Sequence, residues 1–208
     1  MQVNQRTVTE AARRAQIIDA AIEVIADLGY GQASFARIVE RAGLSSTRMI
    51  SYHFQGKDEL MWAVLLAAMG VVDERMDERL AGITDRVEML RGYIESQVDL
   101  LRTHPEHMRA ITEVARNARD ENGAPQYAPL LRDLRVGRLE RQLAQGQREG
   151  VFGEFDIAVM AQTISQAVDG AAARRETDPD VDLADYAREL ADLFTRATRP
   201  TDPARNPN

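Results

Sequence analysis

SFARIVERAGLSSTRMISYHFQGK, Ser34 to Lys57, is the stretch that decides the fold of this chain. Phe35, Ile38 and Val39 recur on one face of a short helix, with Ser34 in the N-cap position and Gly43 at its end. Ser45 is placed to cap a second helix, Ser46 to about His53. Two short helices about a tight Ala42-Gly43-Leu44-Ser45 turn meet the needs of a helix-turn-helix: the first braces the second, and the second enters a DNA major groove. The start of such a recognition helix faces base edges, and Ser45, Ser46, Thr47 and Arg48 stand there. Arg48 can donate two hydrogen bonds to guanine O6 and N7, while Thr47 offers a hydroxyl and a methyl. Tyr52 and His53, one to two turns on, reach toward phosphate oxygens. Lys57 opens the next helix, whose free N–H groups add to its charge at a phosphate. It is the only lysine among 26 basic residues, and its charge is more compact than arginine's. With Ser34, these residues form the candidate DNA-contacting set. Taken singly, each also fits an ordinary helix surface or packing position, so the weight rests on the set.

Outward from this stretch, charge is unevenly spread. The chain of 208 residues has a net charge of −7, yet residues 1–57 carry seven Lys/Arg against five Asp/Glu, and residues 58–208 carry nineteen against twenty-eight. One end can approach phosphates while the other is repelled. A hydrophobic content of 44% is enough for one large or two small domains. The absence of cysteine excludes disulfides, thiolate chemistry and cysteine zinc sites. Met61–Val72, the longest apolar run, falls short of the ~20 residues that span a bilayer. The N-terminus is polar, unlike a signal peptide, and the expected location is cytoplasmic.

The rest of the pattern is helical throughout. Residues 1–6 read as a flexible arm, and Thr7-Val8-Thr9-Glu10 as a capping box. The helix after it turns Ala11, Ile18, Ala21, Ile22, Ile25 and Leu28 inward and stops at Gly29. A long amphipathic helix is expected from Asp58 to about Leu80, a fifth from Asp85 to Thr103, and a sixth from Pro105 to about Arg119. Asp120–Pro125 is a loop. A seventh helix is expected over Tyr127–Gln147, an eighth from the Asp156 cap to about Arg175, and a ninth from Asp182 to about Thr198. Arg199–Asn208, with three prolines, reads as a disordered tail. The fold class is all-α with about nine helices: a helix-turn-helix DNA-binding domain over 1–57, a second helical domain over 58–198, and a tail over 199–208. The small residues of the eighth helix and the wide apolar stripe of the ninth leave two readings open. They close a domain core, or they pair with their copies in a second chain as a four-helix bundle.

Ile17-x-x-Ala20-Ala21, Gly29-Tyr30, Ile38-Val39-x-x-Ala42-Gly43-Leu44-Ser45 and Tyr52-His53-Phe54-x-Gly56-Lys57-x-x-Leu60 together resemble the DNA-binding domain of the TetR family of transcriptional regulators. The resemblance runs from about Ala12 to Leu65. Gly150–Asp156 and Val168-Asp169-Gly170 are similar to the family's approach to its eighth helix. Three features depart from the pattern: no glycine follows the turn serine, the interval from Gly43 to Phe54 is one residue longer, and Val39 replaces an alanine. The resemblance implies a homodimer through the last two helices, and a near-palindromic double-stranded DNA operator read in successive major grooves. It also implies that 58–198 is a ligand-binding and dimerisation domain, with a small-molecule effector whose binding releases the DNA, so that the protein acts as a repressor. An activator of the same family, or a helical small-molecule-binding protein with little DNA affinity, is the alternative.

The effector site is expected among Trp62, Leu66, Met69, Tyr93, Gln97, Met108, Ile111 and Tyr127, read as facing inward on the fourth to seventh helices, although a plain core role fits each of them. His104 and His107 have a metal-like spacing, but Pro105 pushes His104 out of the helix, so no metal and no cofactor is assigned. No nucleophile–base constellation or Gly-rich phosphate loop supports an enzyme. Arg132, Arg135, Arg138 and Arg141 do not form a basic stripe, because three-residue steps drift by ~60° each around a helix.

Overall fold

The computed structural model describes residues 5–201, and side chains from Thr9 onward. Its elements are α1 (Gln5–Leu28), a 3-10 turn (Tyr30–Gln32), α2 (Phe35–Arg41), α3 (Arg48–His53), α4 (Lys57–Leu80), α5 (Arg86–Thr103), α6 (Pro105–Asn117), α7 (Ala128–Arg132), a π turn (Asp133–Gly137), α8 (Arg138–Arg148), α9 (Ile157–Thr177) and α10 (Leu183–Ala197). Among the described residues there is no strand, and the fold is all-α. The α7, π and α8 segments follow one another without a gap, so the helix expected over 127–147 is one rod with a widened turn inside it. Local chemistry accounts for most boundaries. Pro105 occupies the first turn of α6. The Asp156 carboxylate accepts the Val159 N–H at 2.9 Å, and Asp182 accepts from Ala184 and Asp185 at 2.9 and 3.0 Å. The expected capping box at Thr7 is corrected: α1 is already helical at Gln5, two residues earlier. The expected arm lies mostly, and the expected tail from residue 202 onward, outside the described residues.

Contacts divide the chain into two units. The first takes residues up to Asp73 together with His104–Gln126. Within it α1 packs against α2, α6 and the 3-10 turn. That triple contact widens its buried arc to Ile17, Ala20, Ala21, Ile22, Val24, Ile25 and Ala26. The expected inward stripe is corrected accordingly: Ala11 is exposed, Ile18 half-buried and Leu28 47% exposed.

The second unit takes Glu74–Thr103 and the chain from Tyr127 onward. Here α5 is the central element, packed against α8, α9 and α10, with Leu90, Ile94, Val98 and Leu100 at 2% exposure or less. Arg86 and Arg91 pin α5 to its neighbours through Glu149 and Asp192. The four arginines of the apparent stripe are each paired with a carboxylate: Arg132 with Glu140, Arg135 with Asp169, Arg138 with Asp77 and Arg141 with Asp133. No helix among the described residues is long and apolar enough to cross a membrane.

Candidate nucleic-acid interface

The geometry of Ser34–Lys57 is set first by its turn. The Ser34 hydroxyl accepts the Arg37 N–H at 3.4 Å and starts α2. At the other end Leu44 N–H donates to the Val39 carbonyl at 2.9 Å and Gly43 N–H to that of Glu40 at 3.1 Å. This pair of bonds is the Schellman arrangement, which needs a left-handed residue at Gly43, where φ is 63°. Glycine alone adopts that φ without a Cβ penalty.

The start of the recognition helix is later than the sequence spacing indicates. α3 begins at Arg48, with Thr47 as a helical-geometry N-cap that makes no side-chain cap bond. The Ser46 hydroxyl accepts the Arg48 N–H at 3.0 Å, whereas the Ser45 hydroxyl points to the Met49 sulfur at 3.7 Å. Ser45 therefore does not cap α3; the side-chain bond at its start is accepted by Ser46, the residue before the N-cap. Ser45, Thr47 and Arg48 are exposed and Ser46 half-buried. Arg37 and Arg41 are tied down by Gln32 and by Glu23 and Asp27. Among the described residues the Arg48 guanidinium has no hydrogen-bond or ion-pair partner, so its donors remain available. Tyr52 is 76% exposed and meets the half-buried His53 ring edge-on, centroids 5.0 Å apart.

Lys57 is half-buried and partly engaged within the protein: Nζ lies 3.2 Å from the Tyr30 carbonyl oxygen and 4.5 Å from the centroid of the Tyr30 ring. The Tyr30 N–H donates in turn to Glu113 Oε2 on α6 at 3.0 Å. Burial, with the charge of Asp58 behind it, raises the Tyr30 phenol above its ordinary range and keeps it neutral. An ammonium has three donors, so Lys57 retains capacity for a phosphate while it closes this chain from α4 to α6.

Sequence spacing did not reveal the residues of α1 that hold the motif. Arg14 Nη1 donates to the carbonyl of His53, the last residue of α3, at 2.6 Å. Its guanidinium lies 4.1 Å from the Phe54 ring centroid and 3.4 Å from Glu59 Oε1, and Glu59 Oε2 accepts the Gln55 N–H at 2.8 Å. Gln16 Nε2 donates to the Ala42 carbonyl at 2.7 Å. One helix thus satisfies a terminal carbonyl of both helices in the motif.

Of the residues expected at the effector site, Met69, Ile111, Tyr93, Gln97 and Tyr127 are at most 6% exposed and Met108 is half-buried. The first two and Met108 belong to the first unit, the other three to the second. Trp62 and Leu66, one turn apart, are 37% and 48% exposed, which corrects their expected inward orientation: Met61 and Leu65 occupy the core-facing positions of α4 instead.

A short exposed helix behind a glycine-terminated turn, braced from one side by α1, makes this an all-helical helix-turn-helix protein. Residues 17–64 match the family model described as bacterial regulatory proteins, tetR family, so that this stretch is similar to the DNA-binding domain of that family. The chain is 35% identical over 88 residues to the HTH-type transcriptional regulator BetI 1 of Chromohalobacter salexigens, covering 42% of this chain and 43% of that protein. It is 35% identical over 86 residues to the fatty acid metabolism regulator protein of Bacillus subtilis, covering 41% and 44%. Less than half the length of each of these relatives is spanned. The crystal structure of the transcriptional regulator FadR from Bacillus subtilis, in complex with stearoyl-CoA, aligns with a TM-score of 0.74 at 25% identity, covering 87% of this chain and 97% of that one.

Proposed function

We propose that this chain is a cytoplasmic, homodimeric transcriptional repressor that binds a near-palindromic operator through α2 and α3 and leaves it when a small molecule of acyl-chain character binds. The observation that carries the reading is Arg48: an exposed, unpaired guanidinium on the first turn of a helix whose far end is fixed by Arg14. Two such helices, with half-sites ~34–36 Å apart, suit successive major grooves. Ser34, Ser45, Ser46, Thr47, Tyr52, His53 and Lys57 are the accompanying contacts.

Dimerisation through α9 and α10 is supported by an apolar groove of about 380 Å³ between them, lined by Phe155, Val159, Met160, Leu193, Phe194 and Ala197. Val159 and Leu193 are 63% and 51% exposed there, an apolar face suited to a copy of itself. The acyl-chain effector rests on the likeness to the regulator crystallised with stearoyl-CoA. In this reading the functional boundary follows residue 57, and the effector shifts the dimer toward a helix separation that no longer fits the operator.

The test is selection of binding sites from random duplexes, then gel shift with and without palmitoyl-CoA. A palindromic site bound by a dimer and released by palmitoyl-CoA is expected; no duplex preference at low salt sinks the reading. A reporter carrying the selected site rises when the regulator is deleted, and a fall would make it an activator.

A further inference from the structure

Two buried side-chain atoms among the described residues lack any hydrogen-bond partner: Nε2 of Gln97 on α5 and Nε2 of Gln142 on α8. Both lie in the second unit, where α5 and α8 pack together. Gln97 is 3% exposed, so its amide nitrogen has surrendered water and has no hydrogen-bond acceptor in return. An unpaired donor of this kind lowers stability, and an apolar side chain of the same shape would be better tolerated by the fold alone.

The surroundings indicate what Gln97 awaits. Four residues earlier, on the same face of α5, the Tyr93 hydroxyl donates to the Arg135 carbonyl at 3.4 Å. Arg135 belongs to the π turn Asp133–Gly137, a departure from α geometry of the sort that gathers at functional sites. Charge narrows the chemistry further. The buried polar residues among those described are Ser96, Gln97, Ser165, Thr195 and Thr198, and none is charged. The arginines that act on the Tyr93 hydroxyl, Arg135 and Arg138, are partly exposed and already paired with Asp169 and Asp77, so a carboxylate or phosphate beside Gln97 would have to compete for them, whereas a neutral carbonyl needs only an N–H donor.

We propose that Gln97 Nε2 donates to the carbonyl oxygen of an effector whose buried part is otherwise apolar, a thioester or ester rather than a free carboxylate, on the α5 face that also presents Tyr93 to the π turn. The proposal rests on the acyl-chain effector reading above and names the atom that recognises it. Gln97 is a recognition donor that the fold leaves without an intramolecular acceptor.

The full chain, Gln97→Met, Gln97→Leu and Gln142→Leu are titrated by calorimetry with palmitoyl-CoA and with S-hexadecyl-CoA, the thioether that has a methylene in place of the carbonyl. The unmodified protein binds the thioester about tenfold more tightly than the thioether, the ratio expected of one hydrogen bond of ordinary strength. Gln97→Met binds the two probes equally, near the thioether affinity of the unmodified protein, and without ligand melts at a higher temperature because the unpaired donor is gone. Gln97→Leu repeats this with a different shape, and Gln142→Leu keeps the tenfold preference. A preference retained in both Gln97 variants overturns the assignment, as does an equal loss of both probes with a lowered melting temperature, which marks a packing role. Failure of the unmodified protein to bind either probe overturns the acyl-chain reading and this proposal with it.

Discussion

Arg48 and Arg14 are both arginines of the first unit, and their surroundings give them opposite roles. The Arg48 guanidinium has no partner among the described residues, so removing it costs the fold little while deleting a donor pair suited to guanine. Arg48→Ala is expected to lose ~1–3 kcal/mol of discrimination at one base-pair position in each half-site, with an unchanged melting temperature. Competition gel shifts with single-base operator variants measure this; a uniform loss across all sequences would reassign Arg48 to a phosphate. Arg14 is 40% exposed, donates to the His53 carbonyl and covers the Phe54 ring. Arg14→Met keeps much of the stem but drops the donor, and with that exposure a loss of about 1 kcal/mol is expected in urea denaturation. Weaker binding to every duplex should accompany it, because the far end of α3 is no longer held. Unaltered stability would show that the His53 contact carries no weight.

The turn between α2 and α3 can be tested as an element. A Cβ on Gly43 would meet nothing within 4 Å, so the cost of Gly43→Ala is the backbone cost of φ 63° alone, about 1–2 kcal/mol. Gly31→Ala also meets nothing within 4 Å and has no positive φ, so it should leave stability unchanged or slightly raised. Equal denaturation midpoints for the two variants would mean the Schellman geometry is not what stops α2. This element also marks the limit of what the sequence conveys. Ser34, Gly43 and the inward Ile38 were legible, because capping and helical periodicity are local rules. The later start of α3, with Thr47 rather than Ser45 at the N-cap, was not, since spacing alone does not say how many residues a turn consumes. The bonds from Arg14 to His53 and from Tyr30 to Glu113 join residues 39 and 83 apart, and no local pattern encodes them. The π turn was equally hidden: DLRVG has ordinary helical periodicity, and nothing in that pattern marks a widened turn. Within the candidate effector set, Trp62 and Leu66 show the same limit, because an apolar residue on a long helix does not say which of two faces is covered.

At the scale of the whole molecule, acid stability should report how α5 is secured. Arg86 donates to Glu149 through Nε at 2.7 Å and Nη2 at 2.8 Å, joining the start of α5 to the residue that follows α8. These hydrogen bonds, more than any other influence, lower the Glu149 carboxyl from 4.5 to about 2, with Gln145 contributing through a bond at 2.6 Å. A carboxyl depressed in the folded state stabilises the protein above its unfolded value, and that contribution fades as pH falls from about 4.5 toward about 2. Glu149→Gln removes the titration but leaves a side chain of nearly the same shape. The unmodified protein is therefore expected to melt above the variant at pH 6, and the gap should shrink steadily below pH 4.5 and close near pH 2. Asp192, lowered by its hydrogen bond from Arg91, is the same in both proteins and cancels in the difference. The screening of an exposed pair gives a second handle: at molar salt the gap at pH 6 should narrow, while the core of α5, buried through Leu90, Ile94 and Val98, is untouched. A gap that stayed constant from pH 6 to pH 2 would show that Glu149 acts through packing rather than charge, and that α5 is held by its apolar contacts alone.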